Sequence, residues 1–195
     1  MFTGIIEDLG TVIDFEKEKS NITFTIKSSI SEQLKVDQSI AHDGVCLTVI
    51  EVSNNLHKVT AINETLQKSN LNMWEINSKI NLERCTKING RLDGHIVQGH
   101  VDCVAICTKV EDSSGSWKFT FKANDASKEL IVEKGSVSIN GVSLTVVDPI
   151  DNFFSVAIIP YTYENTSFCN IKQGSLVNIE YDIIGKYVQK ILNRN

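Results

Sequence analysis

The chain has 195 residues and a formal net charge of -5 at pH 7, with 19 basic and 24 acidic residues. This balance argues against a dedicated surface for nucleic acid or an anionic membrane, and the longest apolar runs fall short of the roughly 20 residues that span a bilayer. Because the N-terminus lacks the pattern of a signal peptide, we expect a cytoplasmic protein. Free thiols, rather than a disulfide framework or a zinc site, are predicted for the five cysteines, which form no CxxC pair: Cys46, Cys85, Cys103, Cys107 and Cys169.

Short alternating or β-branched runs predict six strands in the first half of the chain. These runs cover residues 10–13, 22–26, 39–42, 47–52, 57–61 and 79–83. Turn signals such as Asp43-Gly44 separate them, and short helices are expected near residues 30–34 and 69–76. Strands of this length and spacing are typical of a small antiparallel barrel.

The second half repeats this series, with turns at residues 112–115 and 140–141 and a helix expected at 125–133. A polar, turn-rich cluster at residues 87–94, KINGRLDG, predicts a linker, so we expect one domain at 1–87 and another at 88–184. Residues 185–195 carry Tyr187, Val188, Ile191 and Leu192 at helical spacing. A segment of about 11 residues is too short for a stable isolated helix, so it must dock on its own barrel or between subunits.

One stretch of the chain occurs twice. Residues 39–52 read SIAHDGVCLTVIEV and residues 136–149 read SVSINGVSLTVVDP, with six of the fourteen positions identical at an offset of 97. The same offset aligns Asn81 with Asn178 and Glu83 with Glu180. The chain is therefore one module used twice.

The two copies differ at a position that could carry chemistry. Cys46 corresponds to Ser143, just after an Asp-Gly or Asn-Gly turn where a strand begins, and His42 corresponds to Ile139. A lone cysteine is more often a small buried filler than a reactive group. The duplication weakens that interpretation, because a buried hydroxyl at Ser143 would need a hydrogen-bond partner.

Two histidines follow the linker. His95 and His100 bracket the motif HIVQGH, in a segment that matches Gly4 to Glu7 at an offset of 95, so that His100 corresponds to Ile5. Residues five apart share neither a strand face nor a helix face, which makes a poor metal pair. A structural histidine is the plainer interpretation of either one.

Three motifs together carry a family resemblance over the whole chain. They are the opening MFTGIIEDLGTV, the paired DGVCLTV and NGVSLTV, and RLDGHIVQGHVD. With them the chain resembles the riboflavin synthase family of the α-chain type. The resemblance implies an all-β fold of two tandem, similar six-stranded Greek-key antiparallel β-barrels followed by a short C-terminal α-helix.

The resemblance also implies an activity. Members of the family convert two molecules of 6,7-dimethyl-8-ribityllumazine into riboflavin and 5-amino-6-(D-ribitylamino)uracil by moving a four-carbon unit, without cofactor or metal. They associate as homotrimers through the C-terminal helix, here residues 185–195. Lumazine synthase is a further protein partner that the resemblance admits, whereas nucleic acid and membranes are not expected.

By resemblance each barrel binds one lumazine, and the active site forms where the N-terminal barrel of one subunit meets the C-terminal barrel of another. The first barrel is expected to offer Gly4, Ile5, Ile6, Cys46, Leu47, Thr48, Thr60, Ala61, Ile62, Asn63, Glu64 and Thr65. The second is expected to offer Gly99, His100, Val101, Lys134, Ser143, Leu144, Thr145, Ala157, Ile158, Ile159, Pro160, Tyr161 and Thr162. Ser39 and Asp182 are the remaining polar candidates near the interface.

Catalytic roles are expected for Cys46, His100 and Ser143. The lumazine 7-methyl group is acidic because its anion delocalises over the ring, so a base and a nucleophile can start the reaction. His100 is a candidate proton shuttle, and Cys46 or Ser143 could add to the electrophilic carbon or position water there. We expect some thiolate character at Cys46, and we assign Cys46 to one lumazine and His100 and Ser143 to the other.

The chain departs from the family pattern at several places. The Pro-Glu-Thr usual at the end of the matching strand is Asn63-Glu64-Thr65 in the first half and Pro160-Tyr161-Thr162 in the second, and Asp93 and residues 103–105 replace usual glycine positions. These changes bear on ribityl contacts and loop shape. Two alternatives remain, a non-catalytic lumazine- or flavin-binding antenna protein of the same fold and a structural module without ligand.

Overall fold

The computed structural model describes residues 1–193, in which twelve strands form two closed antiparallel barrels. The first barrel has the strand order β1-β2-β5-β4-β3-β6 and consists of β1 (Asp8–Glu18), β2 (Asn21–Lys27), β3 (Ser39–His42), β4 (Val45–Ser53), β5 (Leu56–Ala61) and β6 (Lys79–Arg84). The second has the order β10-β11-β8-β7-β12-β9 and consists of β7 (Cys103–Asp112), β8 (Trp117–Lys122), β9 (Ser136–Ile139), β10 (Val142–Ile150), β11 (Phe153–Ile158) and β12 (Leu176–Tyr181). The predicted all-β, two-barrel fold is confirmed.

Alternation along each strand builds two separate cores. In β2, Ile22, Phe24 and Ile26 are buried while the residues between them are half-exposed, and in β8 Phe119 and Phe121 are fully buried. Side chains of successive strand residues point to opposite faces, so this pattern fills the barrel interior. The predicted boundary near residue 88 lies in the connection between β6 and β7.

Several helices differ in type, length or place from those that the sequence predicts. The structure has α1 (Asn63–Lys68), α2 (Ser127–Leu130), α3 (Pro160–Asn165) and α4 (Ile183–Leu192), with 3-10 turns at Ser31–Gln33, Asn70–Met73 and Ser167–Asn170. The helices expected at 30–34 and 69–76 are 3-10 turns, and the one expected at 125–133 has only four residues. Six-residue helices are too short to leave a clear apolar period, which explains why α1 and α3 were missed.

The C-terminal helix is confirmed within the described residues, and it begins two residues earlier than predicted. The carboxylate of Asp182 caps it by accepting a hydrogen bond from the Ile184 N–H at 2.9 Å. Residues 194–195, which the prediction included, lie outside the described residues. Within residues 1–193 no helix combines the length and the apolar character that crossing a membrane would need.

The segments that precede β1 and β7 cross between the barrels. Phe2 pairs with Val97 through two backbone hydrogen bonds of 2.7 and 3.1 Å. The Gly4 carbonyl then accepts from the Ser143 N–H at 2.8 Å, and the Gly99 carbonyl accepts from the Cys46 N–H at 2.9 Å. Each segment therefore lies against the other half of the chain.

Glycine is required at both crossing points. Gly4 and Gly99 have φ values of +78° and +80°, and a Cβ at either would lie 2.5 Å from the Ser143 Cβ or 2.6 Å from the Cys46 Cβ. An alanine there would meet both a strained backbone and a side chain that has no room to move. The close approach fixes the geometry of both pockets described below.

Candidate active site

The first pocket combines the first barrel with the crossing segment of the second half. It has a volume of about 250 Å³ and lies between the start of β4, helix α1 and the segment at residues 99–101. Its lining is Val45, Cys46, Glu64, Thr65, Lys68, Ser69, Gly99, His100 and Val101.

The second pocket is the internal counterpart of the first. Its volume is about 370 Å³, and it lies between the start of β10, helix α3 and the N-terminal segment. Val142, Ser143 and Thr162 stand where Val45, Cys46 and Thr65 stand in the first pocket. The full lining is Gly4, Ile5, Ile6, Glu7, Asp8, Leu9, Val142, Ser143, Tyr161, Thr162, Glu164, Asn165 and Thr166, and no residue lines both pockets.

This arrangement corrects how the predicted residues were grouped. Gly4, Ile5 and Ile6 were expected in the first barrel's pocket, but they line the pocket that contains Ser143. His100 was assigned to the same lumazine as Ser143, and it lies instead in the pocket of Cys46. The physical reason is the crossing of the two segments, each of which carries its residues to the opposite barrel.

Two buried carboxylates hold the crossing segments in place. Glu83 accepts hydrogen bonds from the N–H groups of Thr3 and Gly4 at 2.6 and 2.9 Å, and Glu180 accepts from those of Gln98 and His100 at 2.6 and 2.7 Å. Burial raises the pKa of both carboxyls, and the hydrogen bonds oppose that shift. These contacts orient the peptide groups at the edge of each pocket.

The thiol of Cys46 is half-buried beside Phe2 at the base of the first pocket. Burial raises its pKa, and a hydrogen bond with Ser39 opposes the shift. Burial thus favours the neutral thiol of Cys46 over its thiolate. This direction is opposite to the thiolate character expected from the sequence.

The pockets differ in side chain at three matching positions. The first contains Glu64, Lys68 and His100, whereas the second has Tyr161, Asn165 and Ile5 at the matching positions. The His100 side chain is exposed, so it lies at the mouth of the first pocket.

His95 is a residue of the second site to which the sequence assigned no role. Its Nδ1 atom lies 2.7 Å from the Ser143 Oγ, and its side chain is buried. Burial lowers the pKa of His95, with the Asp182 charge opposing the shift. The contact joins residues 48 apart in the chain, so no local sequence signal indicates it.

The other predicted residues fall into two groups. Leu47, Ala61 and Ile158 are buried in the barrel cores, so only their backbone can face a ligand. The second group is exposed or half-exposed, and none of its members lines either pocket: Thr48, Thr60, Ile62, Asn63, Lys134, Leu144, Thr145, Ala157, Ile159 and Pro160. Ser39 lines a neighbouring cavity of about 580 Å³ with Thr3 and Ile5, and Asp182 caps α4.

The structure also bears on the cysteines and on possible metal ligands. All five cysteines are free in the structure. Across the described part of the chain, no three His, Cys, Asp or Glu side chains lie together as a metal ion would require.

Comparison with known families identifies the class of these two units. The lumazine binding domain model matches residues 3–85 and again residues 98–182. The two barrels with their matched pockets are therefore a pair of lumazine-binding domains.

Full-length relatives narrow the class to one family. The chain is 39% identical over 193 residues to riboflavin synthase of Actinobacillus pleuropneumoniae, covering 98% of this chain and 90% of that protein. It is 40% identical over 195 residues to riboflavin synthase of Bacillus subtilis, covering 100% of this chain and 91% of that protein. The chain belongs to the riboflavin synthase family, which confirms the resemblance found in the sequence.

Solved structures share the fold. LumP complexed with riboflavin superimposes with a TM-score of 0.87 at 22% identity, over 93% of this chain and 99% of that chain. LumP complexed with 6,7-dimethyl-8-(1'-D-ribityl) lumazine gives a TM-score of 0.84 at 21% identity, over 92% and 98%. At this identity the likeness supports the two-barrel architecture alone.

Proposed function

We propose that this chain is a riboflavin synthase that converts two molecules of 6,7-dimethyl-8-ribityllumazine into riboflavin and 5-amino-6-(D-ribitylamino)uracil. The observation that carries the proposal is the pair of matched pockets, each lined by a strand start, a short helix and a crossing segment. A reaction between two copies of one molecule requires two similar binding sites. Membership of the riboflavin synthase family supports the same activity.

The active site forms between two protomers in this proposal. The two pockets of one chain share no lining residue, and in this proposal they hold their two ligands apart. A first pocket that faces the second pocket of a neighbouring protomer would place the two rings in contact. Orienting two reactants in this way can supply a large part of the rate.

Helix α4 is the surface that we assign to the homotrimer. The Lys186 ammonium pairs with the Asp102 carboxylate at 2.5 Å and fastens the helix to the second barrel. Its apolar side chains face away from that contact and are at least half exposed: Ile184, Tyr187, Val188, Ile191 and Leu192. An apolar stripe of this kind is stable in water when another copy covers it. Association with lumazine synthase stays a prediction.

The chemical roles follow from the placement of the residues. His100 at the mouth of the first pocket is the candidate proton shuttle, because an imidazole has one nitrogen that can donate a proton and one that can accept it. Cys46 is a neutral group that contacts the ligand in the same pocket. Ser143 contacts the ligand in the second pocket.

Incubation of the purified protein with 6,7-dimethyl-8-ribityllumazine tests the proposal. We expect the absorbance of riboflavin to appear without added cofactor, and equilibrium titration to give two ligands per chain. An antenna protein would bind one ligand per chain and form no riboflavin. A structural module would bind none.

A further inference from the structure

The close approach of the backbone at Gly94 to Ser143 brings His95 into contact with Ser143. A Cβ at Gly94 would lie 2.1 Å from the Thr3 carbonyl oxygen and 2.9 Å from the Ser143 Oγ. Only glycine therefore lets the chain pass so close to the second pocket. The His95 N–H then donates to the Thr3 carbonyl at 3.1 Å, which directs the imidazole onto Ser143.

The two ring nitrogens of His95 have different surroundings. Nδ1 lies 2.7 Å from the Ser143 Oγ, while Nε2 is buried and has no hydrogen-bond partner among residues 1–193. The side chain is only 8% exposed, which favours the neutral ring with a single N–H. A proton on Nε2 would leave a buried donor unsatisfied, and orphaned donors are rarer in proteins than under-satisfied acceptors. The proton therefore belongs on Nδ1, where it is donated to Ser143.

We infer that His95 is a positioning residue that presents the Ser143 hydroxyl as a hydrogen-bond donor to the ligand in the second pocket. Because the Ser143 oxygen accepts from His95, its own proton is free to point into the cavity. It suits a ligand atom with a lone pair, such as a carbonyl oxygen or an unprotonated ring nitrogen of the lumazine. The identity of this ligand rests on the proposed function.

This inference changes the role expected for Ser143. A serine that attacks carbon needs a base to take its proton, and a ring that donates from Nδ1 cannot do so. The two pockets then differ in kind, because the first has the Cys46 thiol where the second has a Ser143 hydroxyl in contact with His95. The inference gives a physical reason why the two halves are not interchangeable.

Two substitutions of His95 distinguish the roles of its two ring nitrogens. The amide nitrogen of asparagine can replace Nδ1 and keep the donor, whereas that of glutamine extends to the position of Nε2. Binding of 6,7-dimethyl-8-ribityllumazine to the second pocket is measured by fluorescence titration in a Thr65→Trp background, in which the first pocket is filled. We expect His95→Gln to weaken this binding about three- to tenfold, the range for one lost neutral hydrogen bond, and His95→Asn to stay within about twofold of the parent.

A double-mutant cycle distinguishes positioning from a general structural role. If His95 acts through the Ser143 hydroxyl, His95→Gln should cause no further loss once Ser143→Ala is present. Nitrogen NMR of the imidazole should show the proton on Nδ1. The inference is overturned if the two losses add, if asparagine is no better than glutamine, or if the proton is found on Nε2.

The test of His95 and the test of the proposed enzymatic activity can fail independently. All of these readouts measure binding or protonation, and none needs turnover. If the parental chain binds lumazine and forms no riboflavin, the enzymatic proposal fails while the cycle still decides the role of His95. Binding of lumazine to the first pocket in a Thr162→Trp background is the control, and His95→Gln should leave it unchanged.

Discussion

At the scale of single residues, the two halves share the residues that fix the shape of each pocket and differ at some residues that line it. Gly4 and Gly99 make the same close contact, and the carboxylates of Glu83 and Glu180 hold equivalent peptide groups. The chemical differences lie where the pockets are lined, as at Cys46, which corresponds to Ser143. Identical positions in the two halves thus stabilise the fold, and differing positions give the two pockets different chemistry.

The substitution Cys46→Ser tests whether the thiol acts as a nucleophile. Since burial raises the pKa of Cys46 and leaves the thiol neutral, we expect serine to serve nearly as well in contact with the ligand. Lumazine binding should change by less than about threefold and riboflavin formation by less than about tenfold, because little thiolate is present to be lost. Steady-state kinetics with parallel binding titration measures both quantities.

A control for this prediction is Ser143→Cys, which places a thiol at the matching position of the second pocket. It should not raise the rate. A loss of a thousandfold or more in Cys46→Ser, with binding intact, would show that the thiol attacks the lumazine covalently.

At the scale of elements, the turns β3-β4 and β9-β10 meet between the barrels. The side-chain amide of Asn81 donates to the Asn140 carbonyl at 2.8 Å, and that of Asn178 donates to the Asp43 carbonyl at 2.9 Å. The Asp43 carboxylate accepts from the Asn81 N–H just as the Asn140 side-chain oxygen accepts from the Asn178 N–H, each at 2.8 Å. One half thus has a titratable group where the other has an amide.

Burial raises the pKa of Asp43 to about 7, against hydrogen bonds from Asn81, Trp74 and Ser167 that lower it. An unfolded aspartate titrates near ~3.9, so the folded chain binds the extra proton between about pH 4 and 7. The stability that this group contributes is therefore complete below about pH 4 and is lost as the pH rises through 7. The buried His42 and His57, whose pKa values are lowered by burial, act in the opposite sense.

The substitution Asp43→Asn should remove this part of the pH dependence. Between pH 5 and 8 the parent should lose about 2–3 kcal/mol more in its free energy of unfolding than the variant does. Urea unfolding of both proteins at the two pH values measures the difference, and the comparison cancels the two histidines. Asn140→Asp is the matched control and should add a similar dependence. Equal pH slopes in parent and Asp43→Asn would contradict the assignment.

Helix α4 is predicted to hold the trimer together, and charged substitutions on it test this. Glutamate at Val188 and Ile191 would place two charges on the exposed apolar face, while Lys186 still fastens the helix to Asp102. We expect this double variant to sediment as a monomer with both barrels folded, because a buried unpaired charge is costly in an interface. Lys190→Ala, on the polar side of the helix, should leave the trimer intact. A double variant that remains trimeric would show that the barrels hold the assembly together.

Sequence reasoning succeeded where the signal is local or repeated. The twelve strands follow from alternation and from the offset of 97, and these also placed the turns at Asp43-Gly44 and Asn140-Gly141. The C-terminal helix was predicted from its apolar spacing, although its cap at Asp182 was not. Short helices such as α1 escaped because six residues give less than two turns of pattern.

Sequence reasoning failed where one residue's role depends on which barrel it reaches. The offset of 95 identifies Gly4 with Gly99 and Ile5 with His100, but it does not say against which half each segment packs. Assignment by chain order therefore placed His100 beside Ser143 instead of Cys46. The contact of His95 with Ser143 joins residues 48 apart in the chain, so no local pattern indicates it.

At the scale of the whole molecule, the two halves are copies of one module. The first segment of each half packs against the barrel of the other. Each pocket then needs both halves of one chain, and in our proposal each complete active site needs two chains. Thr65 and Thr162 occupy equivalent half-buried positions on α1 and α3, one in each pocket. A tryptophan at either should fill its own pocket and leave the other open, so each variant should bind one lumazine per chain and form almost no riboflavin.

Mixing these two variants in one oligomer tests the central claim most directly. If the active site lies between protomers, some contacts will join the intact first pocket of one variant to the intact second pocket of the other. Riboflavin formation should then return to about a quarter of the parental rate for random 1:1 assembly, since each pocket of a site is intact half of the time. If the site lay within one chain, every site would retain a filled pocket and the mixture would stay as inactive as its components.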